Sequence, residues 1–468
     1  MAEDTPRPET LSPTGALASA ATCPLPEPTP TPAPPRQLTL PQPELPLFQH
    51  RAVTPVATGG PMLSSAQALL RRDLWSKDAE EKPVFRRRFS QGRVIEHYIT
   101  TADPSSQYPE ALAGQAAWHI VEQFGIPTAY LHLVFAAHAA AQSAPWEERF
   151  HLQGSDLITT LGMAKRTDVA KSDKLKELAK QAELLGSVGV WVVWREGKRD
   201  LNVRASRMWD VAIDVHGHED QDGGAAEPTE LLLTVRPGLW TEKFLNHAGQ
   251  DAGTALRQFG YLAQTTLRIN PYQEELAAKL AVYLTIMSRL RATYRVQTLL
   301  EAVEPATLLH HAAQDRRRRY AMKRRWDQAL LTLHEHGWQL TFDDTTYPMA
   351  LRPDWARPEM PSPHLHQLPA GYWRLLLAAR ITLTPPEPIP HLLAAGIAPA
   401  ARAARPPLPP VFSGDRMRHL RETRSWSQRD LAKLLDKSQT WVALVEKGQR
   451  TIQSEDQLQL HKVFGADV

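Results

Sequence analysis

The stretch Ser427-Gln-Arg-Asp-Leu-Ala-Lys-Leu-Leu-Asp-Lys-Ser-Gln-Thr-Trp-Val-Ala-Leu-Val-Glu-Lys-Gly-Gln-Arg450 decides the fold of its part of the chain. Ser427 and Ser438 each precede a short run with apolar residues at helical spacing, and a serine in that place caps a helix N-terminus. Asp436 and Lys437 separate the two runs and predict a tight turn. The residues predicted to form the apolar faces are Leu431, Leu434, Leu435, Val442 and Val445.

These two helices, with Arg421 before them and Glu446-Lys-Gly-Gln-Arg450 after them, resemble the Cro and phage-repressor-like (XRE) helix-turn-helix domains. In that family the second helix presents its N-terminal residues to base edges in duplex DNA. The resemblance implies that Gln428 and Ser438 contact phosphate and that Arg450 holds the DNA backbone. It also implies that Gln439, Thr440 and Trp441 of the second helix read bases. The full set of implied DNA-binding residues is Gln428, Ser438, Gln439, Thr440, Trp441, Lys447, Gln449 and Arg450.

One position in the turn departs from the family. Asp436 stands where glycine is usual, so the sequence predicts an aspartate in the left-handed region. The alternative to a DNA reader is a small helical module that docks on protein.

Composition sets limits on the rest of the chain. Its 468 residues suggest about three domains. With 54 Lys and Arg against 51 Asp and Glu, net charge by itself indicates no class of partner. The single cysteine, Cys23, excludes a disulfide framework and a cysteine-based metal site, which suits a reducing cytoplasm. The acidic opening at Met1 is unlike a signal peptide, and the longest apolar stretch, 126–141, is too short to span a bilayer. We expect a cytoplasmic protein associated with the nucleoid or a plasmid, with no membrane partner.

Proline distribution divides the chain. Proline and threonine dominate up to about Pro61, and a second proline-rich stretch ends in Arg405-Pro-Pro-Leu-Pro-Pro410. Such segments cannot bury enough apolar surface to fold and act as extended leaders or spacers. The predicted organisation is a disordered leader at 1–80, a first winged-helix-like domain at 81–245, a second with a basic helix at 246–350, a linker at 351–412 and the helix-turn-helix at 413–468.

The body between the proline-rich segments shows one order of elements twice. In its first half, helical patterns at 113–124, 128–141, 155–161 and 172–185 precede a strand at 190–194 that turns at Glu196-Gly-Lys-Arg199. In its second half, helical patterns at 272–291, 298–302 and 315–336 precede a strand at 338–342. In a winged helix, several helices are followed by a hairpin, which is the order seen here. The body therefore resembles the plasmid replication initiators, which carry two winged helices in tandem and bind repeated sites. The expected fold class is mainly α (α+β): this tandem body, an all-α helix-turn-helix and a disordered proline-rich leader.

A run of cations marks the last helix of the body. Seven positive side chains fall within three turns and repel one another unless phosphates neutralise them. The alternatives are a solvated charged face and a site for an acidic protein. Lys171, Lys174, Lys176 and Lys180 on an earlier helix pose the same alternatives. The predicted phosphate contacts are Arg316, Arg317, Arg318, Arg319, Lys323, Arg324 and Arg325.

Catalytic motifs are not indicated by the sequence. His216-Gly-His218 has glycine where a nicking endonuclease needs a bulky apolar residue, so it predicts a polar loop tip. His334-Glu-His336 lacks the spacing of a zinc-protease helix, and no glycine-rich phosphate loop with lysine is present. We therefore expect no enzyme activity, cofactor, metal or small-molecule substrate.

The predicted function is sequence-specific binding of double-stranded DNA, with replication initiation on a plasmid or secondary replicon as the leading role. A second copy of the chain is a further expected partner on DNA. The alternatives are a transcriptional regulator (repressor) that uses the same helix-turn-helix and a protein-interaction module.

Overall fold

The computed structural model describes residues 43–101, 109–217, 227–357, 368–395, 413–424 and 426–450, with the short pieces 452, 456, 459–460 and 463–464. Taken together, these residues contain more helix than strand, and the regular elements from Gly414 onward are helices. The predicted mainly α (α+β) class with a terminal all-α module is confirmed.

The described residues form strands that we number along the chain. They are β1 Val53–Ala57, β2 Trp75–Lys77, β3 Pro83–Arg88, β4 Val94–Ile99, β5 Phe150–Gln153, β6 Val188–Val193, β7 Arg195–Glu196, β8 Arg199–Asp200, β9 Val203–Arg207, β10 Trp209–Gly217, β11 Pro228–Pro237, β12 Phe259–Ala263, β13 Thr293–Arg295, β14 Gln339–Phe342 and β15 Arg380–Thr384.

The α-helices are numbered in the same way. They are α1 Gly60–Leu70, α2 Gly114–Gln123, α3 Ile126–Ala141, α4 Gly154–Thr160, α5 Lys171–Gly186, α6 Trp240–Phe244, α7 His247–Asp251, α8 Glu275–Met287, α9 Val296–Val303, α10 Ala306–Gln314, α11 Arg316–Glu335, α12 Tyr372–Ala378, α13 Ile389–Ala394, α14 Gly414–Thr423, α15 Gln428–Leu434 and α16 Gln439–Glu446.

The first half of the body contains a three-stranded antiparallel sheet in the order β10-β11-β5. The register places Leu233 of β11 opposite both Leu152 and Ile213, and α5 packs against β10 and β11. Along the chain the order is helix α3, strand β5, helices α4 and α5, then strands β10 and β11. The last strand lies in the middle of the sheet.

The second half repeats this arrangement with different residues. Helix α8 precedes β13, helices α9 to α11 follow, and β14 and β15 complete a sheet in the order β13-β15-β14. Ile381 of β15 lies opposite Tyr294 and Phe342, again with the last strand in the middle. Trp326 of α11 is fully buried and donates from Nε1 to the Tyr347 hydroxyl at 3.1 Å. We call these halves the first and second unit; their sheets have the same strand order, while β6 to β9 lie between α5 and β10 in the first unit and α12 lies between β14 and β15 in the second.

The hairpin predicted to follow α5 is present, because β6 pairs antiparallel with β9, and β7 with β8 across the predicted turn at 196–199. The strand predicted at 190–194 belongs to β6, which sits between β4 and β9 in a five-stranded sheet ordered β2-β3-β4-β6-β9. Val188, Val190 and Val192 point into the core from β6, so this strand needs neighbours on both edges. The pair β10–β11 is a second and longer antiparallel pair, and it belongs to the three-stranded sheet of the first unit.

The predicted disordered leader extends too far, because the chain is folded from Val53 onward and not only after residue 80. Strand β1 pairs antiparallel with β12, and α1 is buried along almost its whole length. The partner strand lies about two hundred positions away in sequence, which local composition cannot reveal. Residues 1–42, which hold most of the predicted leader, lie outside the described residues.

The predicted linker at 351–412 also contains folded elements. Helix α12 packs against α9, and β15 is the central strand of the second three-stranded sheet. The segments 358–367 and 396–412, including the spacer at Arg405–Pro410, lie outside the described residues. One continuous core runs from Val56 to Leu383, so the two units share their apolar interior rather than folding around separate cores.

No single helix of the described residues is long and apolar enough to cross a bilayer; α2 and α3 reach that length and composition only together, and the pair bends by 81°.

Candidate nucleic-acid interface

In the terminal module, α14, α15 and α16 are each capped by a serine among the residues that the structure describes. Asp430 and Ser427 make a reciprocal capping box, in which the Asp430 N–H donates to Ser427 Oγ at 3.2 Å and the Ser427 N–H donates to Asp430 Oδ2 at 3.0 Å. The Trp441 N–H donates to Ser438 Oγ at 3.1 Å and opens α16. Asp436 takes φ 52°, the left-handed conformation predicted for the turn. The sequence therefore predicted both caps and the turn.

This module has an apolar core of its own, and the burial of Leu434 and Trp441 differs from what the sequence predicts. Leu434 was expected on the apolar stripe but is 53% exposed. Successive residues of a helix point in different directions, so Leu434 does not share the buried face of Leu431 and Leu435. Trp441 was expected to read bases but is only 6% exposed. The buried residues of this core are Met417, Leu431, Ala432, Leu435, Trp441, Val442, Val445, Leu460 and Phe464.

A buried ion pair joins α14 to the end of α16. Arg421 Nε lies 2.6 Å from Glu446 Oε1, and Arg421 Nη2 lies 3.1 Å from Glu446 Oε2. This hydrogen bonding raises the pKa of Arg421. Gln428 Nε2 donates to Glu446 Oε2 at 2.8 Å, so the side chain predicted to contact phosphate is engaged inside the domain. Removal of one member of such a pair typically costs about 3–5 kcal/mol because the other is left buried and unpaired.

The N-terminal end of α16 faces solvent. Gln439 and Thr440 are exposed there, and Ser438 is exposed with its hydroxyl oxygen committed to the cap. Lys447, Gln449 and Arg450 are exposed just beyond the other end of the helix. These predicted contacts therefore lie on the surface of the module.

The sequence reading missed Arg429. Its Nε donates to Gln439 Oε1 at 3.0 Å, which links the second residue of α15 to the first residue of α16. Arg429 is exposed and makes no other hydrogen bond or ion pair with the residues that the structure describes. The signal in the sequence was the position of Arg429 directly after Gln428, in the first turn of α15.

The basic helix α11 divides into two kinds of cation. Asp315 caps the helix by accepting the Arg318 N–H at 2.7 Å. The guanidinium groups that are exposed and make no hydrogen bond or ion pair with described residues are those of Arg316, Arg317, Arg318 and Arg324.

The other three cations are held by the protein itself, so the prediction that all seven contact phosphate needs correction. Arg319 donates to two backbone carbonyls of α10. Lys323 is buried, which lowers its pKa, and it pairs with Asp327. Arg325 Nη2 lies 3.2 Å from the buried carboxylate of Glu304, whose pKa is raised by burial while nearby cations oppose the rise.

Arg316, Arg317 and Arg318 place positive charge at the N-terminal end of α11, where the helix dipole favours negative charge. A bound phosphate would relieve both this cost and the repulsion among the arginines. Arg324 lies about two turns further along α11. It lines an open cleft of about 680 Å³. Exposed Tyr320 and Trp355 line the same cleft, and Trp355 stacks on His334 with ring centroids 5.0 Å apart. The cleft thus combines cations with exposed aromatic rings, a composition known from proteins that bind single-stranded nucleic acid.

Helix α5 occupies the place in the first unit that α11 holds in the second, but its cations differ. Lys174 is buried, Lys171 lies 3.5 Å from Glu230, and Lys176 lies 3.8 Å from Asp173. Only Lys180 of the four predicted candidates is exposed without a described partner. The two equivalent helices are therefore unequal in charge available to an anion.

The Ser65 and His132 side chains form an arrangement that resembles a catalytic pair. Ser65 Oγ lies 2.7 Å from His132 Nε2, and Trp209 Nε1 donates to His132 Nδ1 at 2.7 Å. Because Nδ1 accepts, Nε2 carries the proton and donates to the serine, so this histidine cannot accept the serine proton. Both side chains are fully buried and join α1, α3 and β10.

His216 lies at the end of β10 and is exposed, whereas His218 lies outside the described residues. Among the described residues, no group of three or more His, Cys, Asp and Glu side chains could hold a metal ion.

Comparison with known proteins supports the terminal module. A family model described as a helix-turn-helix domain matches residues 414–468. This match agrees with the XRE-like resemblance of the sequence, and it indicates that the chain binds double-stranded DNA. No curated protein and no solved structure matches the chain.

Proposed function

We propose that this protein is a replication initiator of a plasmid or secondary replicon, which binds repeated duplex sites through its body and its terminal helix-turn-helix and performs no catalysis. It acts in the cytoplasm, on nucleoid or plasmid DNA, and a second copy joins it on DNA. The observation that carries the proposal is the repeated unit of the body, with strand orders β10-β11-β5 and β13-β15-β14. We assign both units as winged helices.

The position of the free cations supports this assignment. A winged helix places the helix before its hairpin against DNA, and α11 is that helix in the second unit. Its four unpaired guanidinium groups supply phosphate contacts, while Trp326 and its buried neighbours anchor the opposite face in the core. The terminal helix-turn-helix adds a second DNA-contacting surface.

The second candidate is a transcriptional regulator. The helix-turn-helix match favours it equally, because the same groove contacts serve a promoter. The two body units distinguish the candidates, since a protein with several DNA-binding modules in tandem suits an array of direct repeats rather than one palindrome.

The decisive experiment footprints the full chain on the DNA that flanks its gene and then tests that DNA as an origin. We expect protection of several direct repeats. A plasmid whose only origin is this region should be maintained when the protein is supplied and lost with the variant R316Q/R317Q/R318Q/R324Q. A single protected palindrome over the gene's own promoter, with no plasmid maintenance, would contradict initiation and support regulation.

A further inference from the structure

The contact between Arg429 and Gln439 determines which hydrogen-bonding groups the terminal module can offer to a base. Gln439 is the first residue of α16, and its side-chain oxygen already accepts from Arg429 Nε at 3.0 Å. Both side chains are exposed. Each is also fixed to a capped helix, since Ser427 caps α15 and Ser438 caps α16.

A free glutamine reads adenine with two bonds, because its oxygen accepts from the N6 amino group while its NH₂ donates to N7. In this module a guanidinium stands on that oxygen. The guanidinium weakens the oxygen as an acceptor and repels the N6 amino group of adenine, which is also a donor. The groups left to face a base are the Gln439 NH₂ and the remaining N–H groups of Arg429, and all of them are donors.

Guanine is the base that matches such a surface. Its major-groove edge presents two acceptors, N7 and O6, and arginine donating to both is the commonest specific contact in protein–DNA complexes. Adenine and cytosine each present an amino group, and thymine presents one acceptor beside a methyl group. We propose that Arg429 is a specificity-determining residue that acts with Gln439 to read guanine in a G·C pair of the target site.

This inference rests on the proposed function only in requiring that the helix-turn-helix meets a major groove. It assigns to Arg429 a role beyond phosphate binding, and it sets the base preference at one position of the site. Lys433 provides a matched control, because it is an exposed cation one turn further along α15 that does not contact Gln439.

The test is a selection from randomised duplex DNA by the full chain and three variants. Gln439→Ala identifies the position in the site that α16 reads, because that position loses its preference. At that position we expect wild type to select guanine. Arg429→Ala frees the Gln439 oxygen, so the ratio of guanine to adenine should fall on the order of tenfold. Lys433→Ala should weaken binding to all sequences alike and leave the ratio unchanged.

The outcomes separate this inference from the proposed function. Adenine at the Gln439-dependent position in wild type, or an unaltered guanine preference in Arg429→Ala, would overturn the reading role of Arg429 while leaving DNA binding intact. An equal loss of guanine preference in Lys433→Ala would show a general charge effect and would also overturn it. A wild-type protein that enriches no sequence would overturn the proposed function, and this inference with it.

Discussion

At the scale of single residues, burial decides which polar and aromatic side chains are available to DNA. Trp441 directly follows the exposed Thr440 in sequence, yet its ring belongs to the core. Gln428 and Arg421 carry polar groups that meet Glu446 inside the module. Chemical type alone suggested DNA contacts for Gln428 and Trp441; in the structure Trp441 is buried, and the half-buried Gln428 donates to Glu446.

Substitution at Trp441 tests this assignment. Trp441→Phe keeps an aromatic ring in the core, and we expect it to destabilise the module while leaving base preference unchanged. Trp441→Ala should cost about 3–5 kcal/mol of the module's stability, as is typical of large-to-small changes in a core. Amide hydrogen exchange in α15 and α16 of the full chain measures the stability, and selection from randomised DNA measures the preference.

Thr440→Ala is the matched control at the adjacent exposed position. It should leave hydrogen exchange nearly unchanged and alter selection at one base pair. A change of base preference in Trp441→Phe without a change in exchange would return Trp441 to the list of base readers.

At the scale of elements, α11 shows how one helix serves the core and the surface together. Its buried side carries Met322, Trp326, Leu330 and Leu333 at helical spacing. The cations differ in their neighbours, because Arg325 meets the Glu304 carboxylate while Arg324 beside it is exposed and has no partner among the described residues. The charge count of the sequence overestimated the cations available for phosphate.

Replacement of the four free arginines of α11 should change the salt dependence of DNA binding. Each phosphate contact adds a slope of about −0.9 to the plot of log affinity against log salt, so R316Q/R317Q/R318Q/R324Q should flatten the slope by roughly 3 to 4. Preference among sites should hardly change, because phosphate contacts carry little sequence information. Titrations of a short duplex at several salt concentrations measure the slope.

The control replaces four exposed cations elsewhere, in R51Q/K77Q/K198Q/R204Q, with the same loss of charge. Its slope should stay close to that of wild type. An unchanged slope in the α11 variant, with loss of an acidic protein partner instead, would remove this helix from the DNA interface.

At the scale of the whole molecule, the folded body and the helix-turn-helix are separate in their apolar cores and connected by proline-rich sequence. A proline-rich spacer acts as a semi-rigid connection and holds its ends at a high effective concentration. Binding by the intact chain is therefore expected to exceed binding by its parts.

Division of the chain tests this expectation. The fragments 1–410 and 411–468, mixed in trans, should bind a site for both parts far more weakly than the intact chain does, because the tether supplies an effective concentration near the millimolar range. Gel-shift titration on one duplex compares them. Equal affinity of the mixture and the intact chain would show that the connection has no role in binding.

The body also carries three buried histidines that should make its stability depend on pH. Burial lowers the pKa of His97 to about 4 and the pKa values of His132 and His138 to about 3. Unfolded histidine has a pKa near 6.5, so below that pH the unfolded chain binds more protons than the folded one. The stability that these neutral side chains contribute is complete above about pH 6.5 and is lost as pH falls toward their folded pKa values.

His138→Phe should reduce this acid sensitivity. His138 stacks on Phe150 with ring centroids 5.2 Å apart, so phenylalanine can take its place in the core. Between pH 6 and 4 the free energy of unfolding should fall less steeply than in wild type, by up to about 1.4 kcal/mol per pH unit. Urea denaturation across this range measures the difference, and His119→Phe, at a largely exposed side chain, should leave the slope as it is. Parallel slopes for His138→Phe and wild type would contradict the buried neutral state.

The sequence by itself determined the features that depend on near neighbours. The caps at Ser427 and Ser438, the left-handed turn at Asp436 and the helix that begins after Asp315 follow from side chains within a few positions of the backbone groups they bind. Such contacts recur wherever the same local pattern occurs. The order of helices in the body followed for the same reason.

The contacts between segments that are distant in sequence were determined only by the tertiary structure. It paired β1 with β12, placed β6 in the five-stranded sheet, and used β15 to complete the second unit. It also separated the free arginines of α11 from those bound to Glu304 and to α10, and it set Arg429 against Gln439. Pairing and burial depend on the partner that each strand or side chain meets, and that partner lies at a sequence distance that no local pattern encodes.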